Sequence, residues 1–122
     1  MSLSGLDASS VIDIGAMFDG CSSLTTLDLT DLNISGVSDM THMFTGCSSL
    51  TTLKLTGINT SGAEIMQNMF AGCHSLESLD MSDLDIDKVI NMGTMLSDCR
   101  NLTKLTAPKI SDSVELLLPV SN

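Results

Sequence analysis

Residues 21–46 read CSSLTTLDLTDLNISGVSDMTHMFTG, and residues 47–72 read CSSLTTLKLTGINTSGAEIMQNMFAG. The two rows are identical at 16 of 26 positions. A third row, residues 73–98, CHSLESLDMSDLDIDKVINMGTMLSD, keeps the apolar positions while its polar ones drift. The row from Cys99, CRNLTKLTAPKISDSVELLLPVSN, follows the pattern to Ile110 and then leaves it. Reading backward from Cys21, residues Leu3, Leu6, Val11, Ile14, Met17 and Phe18 fall in the same columns. A fixed period between about 20 and 50 residues is the mark of stacked supersecondary units. The chain is therefore one domain, 1–122. It has a partial repeat at 1–20, full repeats at 21–46, 47–72 and 73–98, and a degenerate C-terminal repeat at 99–122. It enters mid-repeat at Leu3, which reads as a piece of a longer chain.

Each row holds two periodicities. Leu24, Leu27 and Leu29 form L-x-x-L-x-L, and the alternation at 27 and 29 predicts a strand with one buried face. Its counterparts are Leu50, Leu53, Leu55, then Leu76, Leu79, Met81, then Leu102, Leu105, Ala107. Further on, Met40, Met43, Phe44 and Cys47 stand at i, i+3, i+4 and i+7, which predicts one stripe of a short helix. Ser38 or Asp39 suits its N-terminal cap, and Gly46 sits where a left-handed residue is wanted. Leu32 and Ile34 (with Ile58, Leu84 and Ile86) turn the chain between the two segments while staying in the core. No such unit buries its apolar face alone, so neighbours must stack.

L-x-x-L-x-L at this period resembles the leucine-rich repeat. More narrowly, Met40-Thr-His-Met43-Phe44-Thr-Gly46-Cys47-Ser-Ser-Leu50-Thr-Thr-Leu53 resembles the M-x-x-M-F-x-G-C-x-S-L-x-x-L repeat of BspA-like leucine-rich-repeat surface proteins. Asn33-Ile-Ser35-Gly-Val37 is similar to that family's N/D-T-S-x-V segment. The resemblance spans residues 3–110. It implies an α/β leucine-rich-repeat solenoid, a right-handed coil with parallel strands on the concave face and short helical turns on the convex face. It also implies a bacterial surface or secreted protein that adheres to host or matrix proteins. The chain departs from the family in having few repeats and no export or anchoring pattern; Met1–Gly5 has no basic region followed by an apolar stretch.

Composition narrows the functions. Fifteen acidic against five basic residues give a formal charge of −10, which repels nucleic acid and anionic membranes. No apolar run approaches the roughly 20 residues of a membrane-spanning helix. Nine Met, three Phe and no Trp or Tyr mean that aliphatic and thioether side chains must fill the interior.

Stacking would bring Cys21, Cys47, Cys73 and Cys99 into one column, about 4.8 Å apart by strand spacing. Three readings stand: buried free thiols, disulfides, or a metal site. Stacked residues point the same way, holding Cβ atoms near ~4.8 Å where a disulfide wants ~3.8 Å. Spacings of 26 give none of the close cysteine pairs of a zinc site. A ladder of small hydrophobic thiols is favoured. The columns Met40, Met66, Met92 and Met43, Met69, Met95 could suit Cu(I), but the inward stripe makes them core. His42 and His74 have no nucleophile or acid at a catalytic spacing. Asp80, Asp83, Asp85 and Asp87 alternate with apolar residues and hint at Ca²⁺, yet they lack the glycine and terminal Glu of an EF-hand loop. A solvated turn is the simpler reading, and no cofactor is expected.

The positions that the repeat leaves free line the strands' outward face. They are Thr26, Asp28 and Thr30; Thr52, Lys54 and Thr56; Ser78, Asp80 and Ser82; and Lys104 with Thr106. Thr fits a sheet by β-propensity alone, which explains most of this composition. As a functional surface, the same face would dock a protein partner, as extended repeat surfaces commonly do. The expectation is a non-enzymatic protein-binding or adhesion module; its rival is a structural spacer with no ligand. At the ends, Pro108 and Pro119 break the pattern, so Val114–Leu118 is expected as an edge strand or irregular cap. The open N-terminal edge predicts end-to-end association.

Overall fold

A computed structural model describes residues 1–12, 14 and 17–108; the expected terminal segment Val114–Leu118 with Pro119 lies outside them. Four strands of three residues each occur in order: β1 (Thr26–Asp28), β2 (Thr52–Lys54), β3 (Ser78–Asp80) and β4 (Lys104–Thr106). Each sits on the second half of an L-x-x-L-x-L motif. β1 pairs in parallel with β2, placing Leu27 on Leu53, and β3 pairs in parallel with β4, placing Leu79 on Leu105. The strands thus make two two-stranded sheets.

Pairing extends beyond the strands at the same displacement. Isolated parallel bridges join Asp7 to Asn33 and Asn33 to Asn59, and others join Asp39 to Ile65 and Ile65 to Asn91. Every bridge connects residues one 26-residue period apart. Between the second and third full repeats, the Gly57 amide donates to Asp83 Oδ2 (2.8 Å) and the Met66 amide to the Asn91 carbonyl (2.9 Å). The repeat displacement is thus the hydrogen-bonding displacement.

The segment expected to be a short helix is a run of turns, and no α-helix occurs among the described residues. An α-helix needs each amide to reach back four residues with φ near −63° throughout. Here the amides alternate. Met43, Thr45 and Cys47 donate three residues back, to Met40, His42 and Phe44. His42, Phe44 and Gly46 instead donate to Gln67, Met69 and Ala71 of the next repeat. His42 has φ 62°, as do its column-mates Asn68 (57°) and Thr94 (54°), and a left-handed residue in mid-segment ends any helix. Gly46 does take the left-handed conformation (φ 76°) expected of it. Asp39 caps the turn through Oδ1, which accepts the Thr41 amide at 2.9 Å. A spacing of i, i+3, i+4, i+7 therefore describes the buried stripe without fixing a helix. Met40, Met43, Phe44 and Cys47 are all fully buried.

The core is a set of columns running across the repeats. Phe18, Phe44 and Phe70 stack nearly parallel, with ring centroids 5.6 and 5.3 Å apart. The Met40/Met66/Met92 and Met43/Met69/Met95 columns are buried beside them. Leu29, Leu32, Ile34 and Val37 with their counterparts Leu55, Ile58, Leu84, Ile86 and Val89 complete the interior. Tight approach between repeats requires glycine at position 62, where a Cβ would collide with the Ser35 carbonyl of the preceding repeat.

Candidate functional site

The outward strand positions form three columns. In the first, Thr26, Thr52, Ser78 and Lys104 are exposed, and they stand in register across the paired strands. In the second, Lys54, Asp80 and Thr106 are exposed and Asp28 is half-buried; in the third, Thr56 is exposed while Thr30 and Ser82 are half-buried. All the residues assigned to the face from sequence therefore reach one surface, though not equally.

Local hydrogen bonds order this surface. Asp28 Oδ1 accepts the Thr30 amide (3.0 Å) and hydroxyl (2.6 Å). Those bonds, from the hydroxyl first, hold the Asp28 carboxyl below its ordinary value, helped by the positive charges of Lys54 and the N-terminus. Asp80 Oδ1 accepts the Ser82 amide at 2.9 Å in the same way. Lys54 is the one cation of the central column, opposite Asp28 in register. Two shallow hollows flank it: one of about 190 Å³ with Thr56, Asp80, Ser82 and Asp83, and one of about 280 Å³ with Met1, Thr26, Asp28 and Thr52. Both fall below the ~300–1,000 Å³ of typical small-molecule sites.

The other candidates resolve separately. The cysteines are free thiols. Cys47, Cys73 and Cys99 each donate Sγ–H to a carbonyl 29 residues back, those of Phe18 (3.1 Å), Phe44 (3.3 Å) and Phe70 (3.1 Å). Burial pushes the Cys47 thiol up to about 11 and the Cys73 thiol up to about 12, and it raises Cys99 as well. These sulfurs are inter-repeat rungs. Of the acidic group considered for Ca²⁺, Asp80 accepts from Ser82, Asp83 from Gly57 and Asp85 from the Asp87 amide (3.0 Å). Among the described residues no three His, Cys, Asp or Glu side chains converge to hold a metal ion.

Two features escaped the sequence reading. Thr60 occupies a core column next to Ile34 and Ile86 and is fully buried. Its hydroxyl donates to the Asp85 carbonyl (3.1 Å) and accepts the Asp85 amide (2.8 Å), so it replaces a backbone rung. His74 meets Asp98 (Nε2 to Oδ2, 3.0 Å), and Arg100 Nε donates to Asp98 Oδ1 (3.0 Å) on the exposed surface. The His74 and Arg100 bonds hold the Asp98 carboxyl below its ordinary value. His74 and Arg100 share a column, so the period itself was the signal that they are neighbours. His42 is engaged by Thr45 (Nδ1 to Oγ1, 3.1 Å).

Repeats joined one period apart, with a hydroxyl-rich face and a column-built core, define a repeat protein. The chain belongs to the family described as "Mycoplasma protein of unknown function, DUF285", which matches residues 1–108. No curated protein and no solved structure matches the chain.

Proposed function

We propose that this chain is a leucine-rich-repeat solenoid of the BspA-like kind. In this reading it is a non-enzymatic adhesion module of a bacterial surface or secreted protein and binds a protein partner through its strand face. The observation that carries the reading is the face itself. Thr26, Thr52, Ser78 and Lys104, with Lys54, Asp80 and Thr56, lie exposed, Thr26 in register with Thr52 and Ser78 with Lys104, while the recurring methionine and phenylalanine columns beneath are buried. The solenoid assignment is supported by pairings that are all parallel and all displaced by one period. Hollows smaller than a small-molecule site favour a broad partner over a compact ligand. The match of the MxxMFxGC motif to the BspA-like repeat is what supports the surface location.

A spacer reading draws on one specific observation: the chain has no Trp or Tyr, the residues that most often anchor protein interfaces. Contacts on this face are therefore weak singly and useful when repeated. The test replaces Thr52, Lys54 and Thr56 together by Ala. Both forms are passed over purified matrix and host surface proteins immobilised on a sensor chip. The wild type is expected to bind at least one of them, and the variant to bind it at least about tenfold more weakly with an unchanged circular-dichroism spectrum. Equal binding by both forms contradicts the assignment of the face. No binding by the wild type supports the spacer.

A further inference from the structure

The strand-side ladder lapses at one junction among the described residues. Where the first full repeat meets the second, the Thr25 carbonyl accepts the Thr51 and Thr52 amides, and the Leu29 and Asp31 amides donate to the Lys54 and Thr56 carbonyls. Where the third meets the degenerate fourth, the Glu77 carbonyl accepts the Thr103 and Lys104 amides, and the Met81 amide donates to the Thr106 carbonyl. Between the second and third, the equivalent amides of Leu55, Glu77 and Ser78 have no acceptor among the described residues, and β2 and β3 are not paired. Side chains take over there. The Gly57 amide donates to Asp83 Oδ2 (2.8 Å) where its column-mate Asp31 donates to a carbonyl, and the Thr60 hydroxyl makes both bonds to the Asp85 backbone. A side chain set between two backbones holds them further apart than the ~4.8 Å of direct pairing. The backbone explains the change of partner. Gly5, Asp31 and Gly57 are left-handed (φ 72, 58 and 70°), which aims the carbonyl before each toward the preceding repeat; Asp83, in the same column, is not left-handed.

We propose that this junction is a hinge built into the fold, with the turn ladder as its spine and the strand side as the seam that opens. The spine is continuous. On the turn side of the same junction the Met66, Asn68, Phe70 and Gly72 amides donate to the Asn91, Gly93, Met95 and Ser97 carbonyls at 2.9 to 3.1 Å. Met66, Met69, Met92 and Met95 are buried across it. The seam is already parted, with Lys54, Leu55 and Thr56 on one lip and Asp80, Ser82 and Asp83 on the other, around a hollow of about 190 Å³. A segment short of backbone rungs opens at lower cost than its neighbours. The strand face is therefore two plates, β1 with β2 and β3 with β4, and their mutual angle changes while each stays paired. Anything laid across the face meets Lys54 and Asp80 at a changing separation, but Thr26 and Thr52 at a constant one. The hinge stands whether or not the face binds a partner.

Amide exchange of the full 122-residue chain, read residue by residue by NMR, tests the seam. The Leu55 and Ser78 amides should exchange at least about tenfold faster than their column-mates Leu29 and Thr52, while Phe70 and Gly72 stay as slow as Phe44 and Gly46. Equal protection of Leu55 and Leu29 would overturn the proposal. Methyl relaxation dispersion tests the motion, since hinge movements fall in its microsecond-to-millisecond window. The Leu53, Leu55 and Leu79 methyls should share one exchange process that leaves Met69 and Met95 on the spine flat. No dispersion at the lips, or the same dispersion at Met69 and Met95, would overturn the hinge. Asp83→Ala removes the carboxylate rung and should speed Gly57 amide exchange at least about tenfold with Phe70 unchanged. An equal rise at Phe70 would mean that the junction opens as a whole, which contradicts a spine. Should that variant fail to fold, the wild-type measurements decide.

Discussion

Thr60 shows how one buried hydroxyl serves two repeats. It stands in an apolar column, yet its oxygen satisfies both the amide and the carbonyl of Asp85. Thr60→Val keeps the volume and leaves those backbone groups without partners, so it should cost about 1–3 kcal/mol, read as a lower urea midpoint. The same logic governs the thiols. Because burial raises Cys47 to about 11 and Cys73 to about 12, the folded state holds these protons where the unfolded chain, at 9.0, releases them. That contribution to stability is complete below pH 9.0 and declines as pH rises toward 11 and 12. Melting temperature should therefore fall on this alkaline limb, and Cys73→Ala should flatten it; an unchanged limb would show that the thiols titrate freely in the fold. The acid side has the opposite sign. Hydrogen bonds from Thr30 and Thr41 lower Asp28 and Asp39 below 3.8, so their contribution is present above that value and is lost as pH falls through the lower folded values.

At the scale of the element, the turns matter more than the strands. Strands of three residues carry little by themselves, and the ladder of turn amides to the next repeat carries the rest. Gly62→Ala should thus cost about 1–3 kcal/mol through overpacking, since its Cβ would meet the rigid Ser35 carbonyl. A calorimetric melting temperature equal to wild type would contradict so close an approach. The buried stripe of Met40, Met43, Phe44 and Cys47 was legible from spacing, as were the strand leucines Leu27 and Leu29. The helix was misread because hydrophobic period reports which residues face inward, and a run of turns buries the same four. The signal against a helix lay in the column His42, Asn68, Thr94, whose first two members are types that tolerate left-handed φ. The Thr60 rung and the His74–Asp98 contact were invisible for another reason: their partners are 25 and 24 residues away in sequence and use side chains that the other repeats do not share.

For the whole molecule, the period makes stability a sum of neighbour terms, opposed by a net charge of −10. Melting temperature should rise between low salt and about 0.5 M NaCl as that repulsion is screened; a fall would mean that surface ion pairs such as Asp98–Arg100 outweigh it. The candidate face was readable from alternation, but nothing it would bind was, because a row of Thr, Ser and single charges lacks the aromatic anchors that carry chemical identity. The central claim is that neighbouring repeats are joined through their backbones at one period. Scalar couplings across hydrogen bonds, measured by NMR between amide nitrogens and carbonyl carbons, test it directly. The account predicts couplings from the Phe18, Phe44 and Phe70 amides to the Met43, Met69 and Met95 carbonyls. Couplings from Phe44 to Met40 and from Phe70 to Met66 instead, the pattern of an α-helix, would contradict it.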